Sequence, residues 1–309
     1  MVAIQIPNFG LNRHDTSSVS AYAKDVKRAE SLGWDAAFLP DSQLRRRDTY
    51  VLLAAAANCT NKIKIGPLLA NPVTRHPTVT ASSISTIGEL APERTILALG
   101  IGDTAVRLAG LKPATVRELG SSVRTIRTLL SGGPVDVGSS KPAILPFAHK
   151  VPVWVAAGGP RTLEMAGSFA DGVFIRVGTD IRNIKLSVDK IRQGAASVGR
   201  DPLAIRLGAV FHTVFVDDPE RALIMGKSMA AGYFEYSPML MDNLGMDWKG
   251  PTPDEIKEKS GVWPDFHHAE DLFASGTAVN FLSDEQALAF SLLGNSEMIT
   301  EQILDLMRA

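Results

Sequence analysis

Four consecutive residues, Gly158, Gly159, Pro160 and Arg161, form a candidate ligand site in this sequence. Glycine has no side chain, so Gly158 and Gly159 would let the backbone approach a ligand closely. A helix that begins at Pro160 would point free N–H groups at an anion, and Arg161 would add a positive charge. The same residues suit a plain turn, because proline is favoured in the first turn of a helix. The segment therefore predicts either a phosphate site or a turn.

Two carboxylates follow apolar runs directly. Asp103 comes after Gly100, Ile101 and Gly102, and Asp41 follows the run Ala36–Leu39 after one proline. The Gly-x-Gly pattern is a weak signal, because the third glycine and the downstream acid of a dinucleotide site are missing. We interpret Asp103 either as the N-cap of a helix or as an acid that faces a pocket. We interpret Asp41 as a functional acid, because it closes a strand at the end where α/β barrels carry their active sites.

A proline lies inside the apolar run at residues 63–69. Pro67 has no N–H group to donate to a neighbouring strand, so the run predicts a strand with a bulge. Such a bulge either adjusts the curvature of a barrel or props a ligand with distorted backbone.

The histidines and the cysteine match no known metal or nucleophile motif. The six histidines are scattered, and none forms the i, i+4 pair of a helical zinc site. The adjacent His267 and His268 are expected to point to different faces. The single cysteine, Cys59, excludes a disulfide within the chain, and we interpret it as a small buried apolar residue. The sequence also lacks a Gly-x-Ser-x-Gly elbow, and we predict no metal site.

Seven short apolar runs would position these residues, and each leads into a segment long enough for a helix. The runs are residues 2–6, 36–39, 63–69, 95–100, 153–157, 172–177 and 205–216, the last being the longest. Short strands that alternate with helices are the pattern of βαβ units, whose crossovers are right-handed. Seven or eight such units close into a (β/α)₈ TIM barrel. The chemistry should then lie at the carboxyl-terminal rim of the strands.

Capping residues and prolines delimit the expected helices. Ser17 or Ser18 would cap a helix that ends near Leu32, where Gly33 stops it. Further helices are expected from about residue 49, at 77–90, at 113–130 and at 181–198. Residues 7–10 should begin a rim loop, and residues 135–150 should form an irregular loop over the barrel.

Residues 236–275 interrupt the alternation of strands and helices. We expect an insertion there, near the C-terminus, with helices at about 252–260 and 266–274. Its methionines and tryptophans lie among prolines, glycines and charges: Met239, Met241, Met246, Trp248 and Trp263. Such a cluster indicates either a packing or dimer surface or one wall of a substrate pocket.

Composition limits the class of protein. The chain has 309 residues, of which 45% are hydrophobic and 21% charged, as in a globular protein with a sizeable core. Its net charge of −1 gives no basic field that would recruit nucleic acid or anionic lipid. No segment approaches about 18 uninterrupted apolar residues, and the first residues do not resemble a signal peptide. We therefore expect one cytoplasmic domain, residues 1–309, that contacts neither membrane nor nucleic acid.

Seven short motifs are spread along the chain. They are LPD (39–41), RRDTY (46–50), IGPLLANPVTRHP (65–77), GIGDTAVR (100–107), LKP (111–113), AAGGP (156–160) and ADG (170–172). Together they resemble the bacterial luciferase-like superfamily of (β/α)₈ oxidoreductases. The similarity is greatest to its coenzyme F420-dependent branch, which includes methylenetetrahydromethanopterin reductase, and it covers nearly the whole chain.

This resemblance implies roles for most of the residues named above. A cis peptide at Leu68–Leu69 would press on the back of the tricyclic ring, with Asp41 near the deazaflavin and Asp103 as the proton donor. The other residues implied in cofactor binding are Asn71, Gly102 and Thr104 around the ring, and Gly158, Gly159 and Arg161 at the phosphate. The substrate candidates are His14, Ser42 and Arg176.

The sequence departs from the family pattern at three places. Ser42 stands where many relatives have histidine, and Ala98 stands where relatives usually have a glycine. The chain ends at Ala309, where relatives continue into an eighth strand. That strand is therefore either missing here or replaced by residues 277–282 or 287–293.

The resemblance implies a flavin- or deazaflavin-dependent oxidoreductase, with F420 preferred over FMN. The expected reaction is hydride transfer between C5 of the deazaflavin and an electron-poor C=N, C=C or C=O carbon of a small molecule. The alternatives are an FMN-dependent monooxygenase and a non-catalytic paralogue that binds the cofactor. Luciferase-like barrels commonly pair through the helices after strands two and three, so we expect a homodimer.

Overall fold

Nine strands lie along the part of the chain that the computed structural model describes, residues 8–13 and 17–309. The strands are β1 (Gly10–Asn12), β2 (Ala36–Leu39), β3 (Lys64–Pro67), β4 (Leu97–Leu99), β5 (Val153–Ala157), β6 (Gly172–Ile175), β7 (Arg206–Ala209), β8 (His212–Phe215) and β9 (Ser291–Gly294). All of their pairings are parallel, as strands joined by helical crossovers require.

The strands follow one another in barrel order. β1, β2 and β3 form one sheet, β4 to β7 form a second, and β8 pairs with β9. Single bridges between Ile65 and Thr95 and between Ala70 and Leu99 join the first two sheets. Only two residues separate β7, which pairs with β6, from β8, which pairs with β9. The run at residues 205–216 is thus one long, interrupted strand, and the fold is a TIM barrel with eight strand positions.

The first strand differs from the expectation. The predicted strand at residues 2–6 lies outside the described residues, as does His14. Gly10, which we expected in a rim loop, instead begins β1 and pairs with Ala36 of β2. A side chain at Gly10 would bring its Cβ within 3.2 Å of the Ala36 Cβ, so the glycine permits this close pairing.

The eighth strand is present as β9. It overlaps the second of the two segments expected to replace it at residues 291–293 and extends one residue beyond, and the helix that follows it ends at Arg308. Residues 287–290 of the expected strand instead end a helix, which begins after Ser283 in a capping box with Gln286. Residues 277–282 form no strand.

Within the described residues, thirteen α-helices connect and cover the strands. They are α1 (Val19–Ser31), α2 (Thr49–Ala57), α3 (Pro77–Leu90), α4 (Thr104–Arg107), α5 (Val116–Leu130), α6 (Pro160–Phe169), α7 (Ile181–Ala196), α8 (Pro219–Tyr236), α9 (Met239–Asp242), α10 (Pro253–Ser260), α11 (Leu272–Ala278), α12 (Asp284–Phe290) and α13 (Ser296–Arg308). Ser18 caps α1, as predicted. α5 begins at residue 116 rather than 113, because Thr115 and Glu118 form a capping box there. Among the residues that the structure describes, no helix has the length and apolar character needed to cross a membrane.

Three aromatic side chains fill the centre of the barrel. Phe174 contacts Phe38 edge to face at 5.4 Å between ring centroids, and Trp154 at 4.6 Å. Gly172 makes room for Trp154, since a Cβ there would lie 2.4 Å from the indole ring. These rings form an apolar floor beneath the carboxyl-terminal rim.

The insertion at residues 236–275 is less helical than expected. The predicted helix at 266–274 is divided into a 3₁₀ turn, Phe266–His268, and the start of α11. Met241 is fully buried, and Trp248 stacks on Phe234 at 4.2 Å, so these two side chains serve packing. Trp263 is exposed.

Candidate functional site

The bulge after β3 connects the rim ends of three strands. The Leu68–Leu69 peptide is cis, as the resemblance implied. The Leu68 N–H donates to the Leu39 carbonyl over 2.9 Å, and the Leu69 carbonyl accepts from Asp41 N–H over 3.2 Å. On the other side, the Ala70 N–H donates to the carbonyl of Ala98 in β4 over 2.9 Å. The predicted bulge is therefore confirmed, and it brings the loops of Asp41 and Asp103 to the same rim.

Asn71 follows this bulge and is almost completely buried. Its Oδ1 atom accepts from Val73 N–H and Thr74 N–H over 3.0 and 2.9 Å, whereas its Nδ2 atom has no partner within the described ranges 8–13 and 17–309. Gly102 lies against it with φ of +83°, and a Cβ there would be 3.1 Å from the Asn71 Cβ. A buried amide donor without a partner is expected where a ligand supplies the acceptor.

Asp41 lies in a buried ion pair. Its Oδ2 atom is 3.5 Å from Arg75 Nε, and Arg75 also binds Asp48 over 2.8 Å. Burial raises the pKa of Asp41, although the positive charge of Arg75 opposes that rise. Ser42 beside it is buried, and its hydroxyl has no hydrogen-bond partner in the described part of the chain. A carboxyl group and an unpaired hydroxyl are thus placed together at the end of β2.

Replacing Arg75 with methionine is expected to lower the free energy of unfolding by about 3 kcal/mol, because it leaves the buried Asp41 without its countercharge. The loss should grow as the pH rises through the raised pKa of Asp41, since only the ionised carboxylate needs Arg75. Denaturant unfolding at about pH 5 and about pH 8 measures this difference. Arg308→Met is the control, because its pair with Asp305 is exposed and contributes little. An equal loss of unfolding free energy at both pH values would contradict the assignment of Arg75 as the countercharge of Asp41.

Asp103 stands at the N-cap position of α4, but its side chain makes no capping hydrogen bond. Instead, Oδ1 pairs with Arg107 Nε over 3.1 Å, and the side chain is 32% exposed. Burial raises the pKa of Asp103, while the charges of Arg176 and Arg107 oppose the rise. This geometry favours an acid at the rim over a helix cap.

Arg176 lies at the end of β6 and belongs to the same cluster as Asp103. Its Nη2 atom is 2.9 Å from His267 Nε2 and 3.3 Å from His212 Nε2. The neighbouring Asp265 accepts from the hydroxyl of Thr104 over 3.1 Å. Thr104, expected at the cofactor, therefore directs its hydroxyl to the insertion.

The expectation that His267 and His268 point to different faces is wrong. Their ring centroids are 4.0 Å apart, and the Nδ1 atoms lie 3.3 and 2.8 Å from Asp265 Oδ1. The 3₁₀ turn Phe266–His268 permits this arrangement of the two rings, because it begins directly after Asp265, whose carboxylate both rings approach. Asp265 was not among the residues predicted from the sequence, although the spacing Asp-x-His-His is a signal for such a cluster.

This cluster has the residue types of a metal site, with ligand atoms within 4.8 Å of one another. Arginine only donates hydrogen bonds, however, so His267 Nε2 must accept from Arg176 and the ring proton must lie on Nδ1. That proton occupies the position of the Nδ1 lone pair, which a metal ion near Asp265 would need as its ligand. The arrangement therefore favours a hydrogen-bonded cluster, and the absence of a metal stays a prediction.

The two glycines before α6 differ in what they permit. A Cβ at Gly158 would lie 2.6 Å from the Arg176 carbonyl oxygen, so packing alone requires that glycine. A Cβ at Gly159 would have no atom of the described residues within 4 Å, so open space adjoins the N-terminus of this ten-residue helix. No side chain caps its first turn, and Arg161 is exposed there. The N–H groups, the open space and the arginine fit an anion such as a phosphate.

Comparison with known proteins gives consistent matches over the whole chain. A sequence model of the family described as luciferase-like monooxygenase matches residues 2–309. A 5,10-methylenetetrahydromethanopterin reductase of Methanolobus tindarius is 32% identical over 251 residues, which is 77% of this chain and 75% of that protein. The protein with the same description from Methanopyrus kandleri is 27% identical, over 98% of this chain and 90% of its own length.

Two solved structures superpose on nearly all of the chain. The coenzyme F420-dependent tetrahydromethanopterin reductase from Methanopyrus kandleri matches with a TM-score of 0.76 and 25% identity, covering 97% of this chain and 90% of its own. An F420-dependent secondary alcohol dehydrogenase in complex with an F420-acetone adduct matches with a TM-score of 0.71 over 97% and 89% of the two chains. At 17% identity, the second match concerns the fold alone.

Proposed function

Because this chain belongs to the luciferase-like monooxygenase family, we propose that it is an F420-dependent oxidoreductase. The proposed reaction is hydride transfer between the deazaflavin and an electron-poor C=N, C=C or C=O carbon of a small molecule. The preference for F420 over FMN rests on the two reductases described above, of which one is 32% identical and the other is named as F420-dependent.

One observation of this structure carries the proposal: the rim combines an unpaired donor with an open anion site. The Nδ2 atom of Asn71 lies next to the bulge, where a ring carbonyl would supply the missing acceptor. The open space at Gly159 lies at the start of α6, where a phosphate would face the free N–H groups. Leu68, Leu69 and Gly102 would complete the surface under the ring. F420 and FMN both carry a ring carbonyl and a phosphate, so this geometry supports a phosphate-bearing flavin or deazaflavin as the class of cofactor.

The residues of the chain would bind the cofactor, orient the substrate and supply the proton. F420, when bound, supplies the hydride. Asp103 would hold the proton that accompanies hydride transfer, since burial raises its pKa and favours the neutral acid. Arg176 would orient a polar substrate, because its guanidinium makes its close contacts with uncharged imidazole rings. Ser42 would contribute its unpaired hydroxyl, and Asp41 would border the ring.

Hydride transfer is tested with reduced F420 and two candidate acceptors. These are methylenetetrahydromethanopterin and acetone, which represent the imine-type and ketone substrates that the similar proteins' names suggest. The proposal expects one of them to be reduced while the absorbance of oxidised F420 appears. Oxygen consumption with reduced FMN, together with no oxidation of reduced F420 by either acceptor, would favour an FMN monooxygenase. Binding of F420 without any turnover would favour a non-catalytic paralogue.

We expect a two-fold dimer through α2 and α3. Val51 on the mostly apolar helix α2 and Val79 on α3 are 55% and 47% exposed, and exposed apolar side chains of this kind are expected to be covered by a second copy. Val51→Lys should shift the protein from dimer to monomer in sedimentation, because it places a charge in the contact. Val198→Lys, which alters an equally exposed valine after α7, should not. A monomer of the unaltered protein at micromolar concentration would contradict the prediction.

A further inference from the structure

One carboxylate of the insertion accepts hydrogen bonds from its own turn and from two parts of the chain that are distant in sequence. Thr104 Oγ1 and Tyr236 OH each donate to Asp265 Oδ2 over 3.1 Å. The N–H of His268 donates to Oδ1 over 3.0 Å, and Nδ1 of the same residue lies 2.8 Å from it. Asp265 is fully buried, and burial alone would raise its pKa, but these bonds lower it. The carboxylate therefore stays ionised inside the protein.

This carboxylate also lies beside a neighbouring histidine. With Nε2 of His267 accepting from Arg176, the ring proton lies on Nδ1, which is 3.3 Å from Asp265 Oδ1 without the geometry of a hydrogen bond to it. The negative charge of the carboxylate favours the proton on the nearer nitrogen and leaves the Nε2 lone pair for the guanidinium. Asp265 thus acts on Arg176 through one neutral imidazole ring. His212, stacked on His267 at 5.2 Å, provides a second acceptor for the same guanidinium.

The contacts of Asp265 lead in one direction to Asp103, the proposed acid, and in the other to Arg176, the proposed substrate anchor. Thr104 is the residue after Asp103 and begins α4, which also carries Arg107, the partner of Asp103. Arg176 is the cation at the end of β6. The same turn is held from a further loop, because Arg45 donates to the His268 carbonyl over 3.1 Å. Loops after β2, β4 and β6 therefore meet at residues 265–268.

We propose that Asp265 is a positioning residue, which holds the loop of Asp103 through Thr104 and the guanidinium of Arg176 through His267 in one fixed arrangement. The proposal rests on the proposed function, in which Asp103 and Arg176 face the substrate. The insertion then has a definite part in the reaction: it fixes the distance between the acid and the cation. A small displacement of either group would lower the rate, because proton donation and hydride transfer need the substrate in one orientation.

The first experiment uses the unliganded protein and needs no substrate. Nitrogen-15 NMR of labelled histidines should show His267 protonated at Nδ1 and not at Nε2, with the signal assigned by its loss in His267→Gln. In Asp265→Asn this preference should weaken or reverse, whereas Asp271→Asn, which alters a helix cap in the same insertion, should leave it intact. A His267 ring protonated at Nε2, or one unaffected by Asp265→Asn, would overturn the proposal.

The second experiment separates positioning from packing. Thr104→Val keeps the shape and removes the hydroxyl, while Thr104→Ser keeps the hydroxyl and removes a methyl group. With saturating F420 and the accepted substrate, Thr104→Val should lower kcat by about 10-fold or more, and Thr104→Ser should retain several-fold more activity than Thr104→Val. Thr277→Val is the control, because that hydroxyl bonds only within α11. If Thr104 served packing alone, the order would be reversed, and Thr104→Ser would lower kcat more than Thr104→Val.

The two proposals fail in distinguishable ways. If F420 neither binds nor turns over, the proposed function is wrong, but the NMR measurement still tests Asp265. If His267 does not respond to Asp265→Asn while F420 binds normally, the positioning role is wrong and the proposed function stands.

Discussion

Asp103→Asn is expected to lower kcat by about 10²–10⁴-fold, the usual contribution of a general acid, while F420 affinity changes little. Asparagine keeps the size of the side chain and its ability to accept from Arg107, but it has no proton to give. The comparison is made by steady-state turnover and by titration with F420. A helix-cap role makes the opposite prediction, because asparagine caps a helix as well as aspartate does.

The pH dependence gives an independent check on Asp103. In the direction that reduces substrate, only the protonated acid is active, so kcat should fall as the pH rises through the raised pKa of Asp103. Asp103→Asn should lose this fall along with most of the rate. Asp218→Asn is the matched control, because Asp218 is a true cap of α8 and bonds the N–H groups of Glu220 and Arg221. Near-normal turnover of Asp103→Asn would move the search for the acid to Asp41 or to His14, which lies outside the described residues.

Gly159→Val is expected to weaken F420 binding at least tenfold, about 1.4 kcal/mol, without unfolding the protein. The branched side chain would fill the open space that the phosphate needs, yet its Cβ would meet no protein atom within 4 Å. The backbone there, at φ −80° and ψ 144°, suits any residue. Fluorescence titration with F420 and a thermal unfolding curve measure the two effects.

Two further variants define the contribution of this helix end. Gly159→Ala should give a smaller loss of affinity than Gly159→Val, because it fills less of the space. Arg161→Ala should weaken binding modestly, since the arginine is exposed and its charge is screened. Unchanged F420 affinity in Gly159→Val would place the phosphate elsewhere, near Arg176 or Arg75.

The barrel was predictable because short apolar runs and capping residues recur in it with regular spacing. β2, β5 and α3 begin and end where their sequence patterns indicated. The run at 287–293 was ambiguous, because a continuous apolar stretch suits a buried helix as well as a buried strand, and here it contains both. β1 was missed, because its three residues, Gly10–Asn12, carry no alternating apolar pattern.

The rim residues were predictable to the extent that they lie in the first few residues after a strand. Asp41, Asp103 and Arg176 share that position, and parallel strands bring such residues to one end of the barrel. Asp265 follows no strand; the spacing Asp-x-His-His indicates only its local cluster, and its contact with Thr104, 161 residues away in the sequence, leaves no local signal. Contacts between an insertion and the barrel depend on how the two pack, and local patterns do not contain that information.

Equilibrium titration of the purified protein with F420 and, separately, with FMN shows which cofactor this rim prefers. We expect saturable binding of F420 that is at least tenfold tighter than binding of FMN, a difference of about 1.4 kcal/mol. Binding of FMN as tight as that of F420, or no binding of F420, would contradict the assignment of this rim as a deazaflavin site.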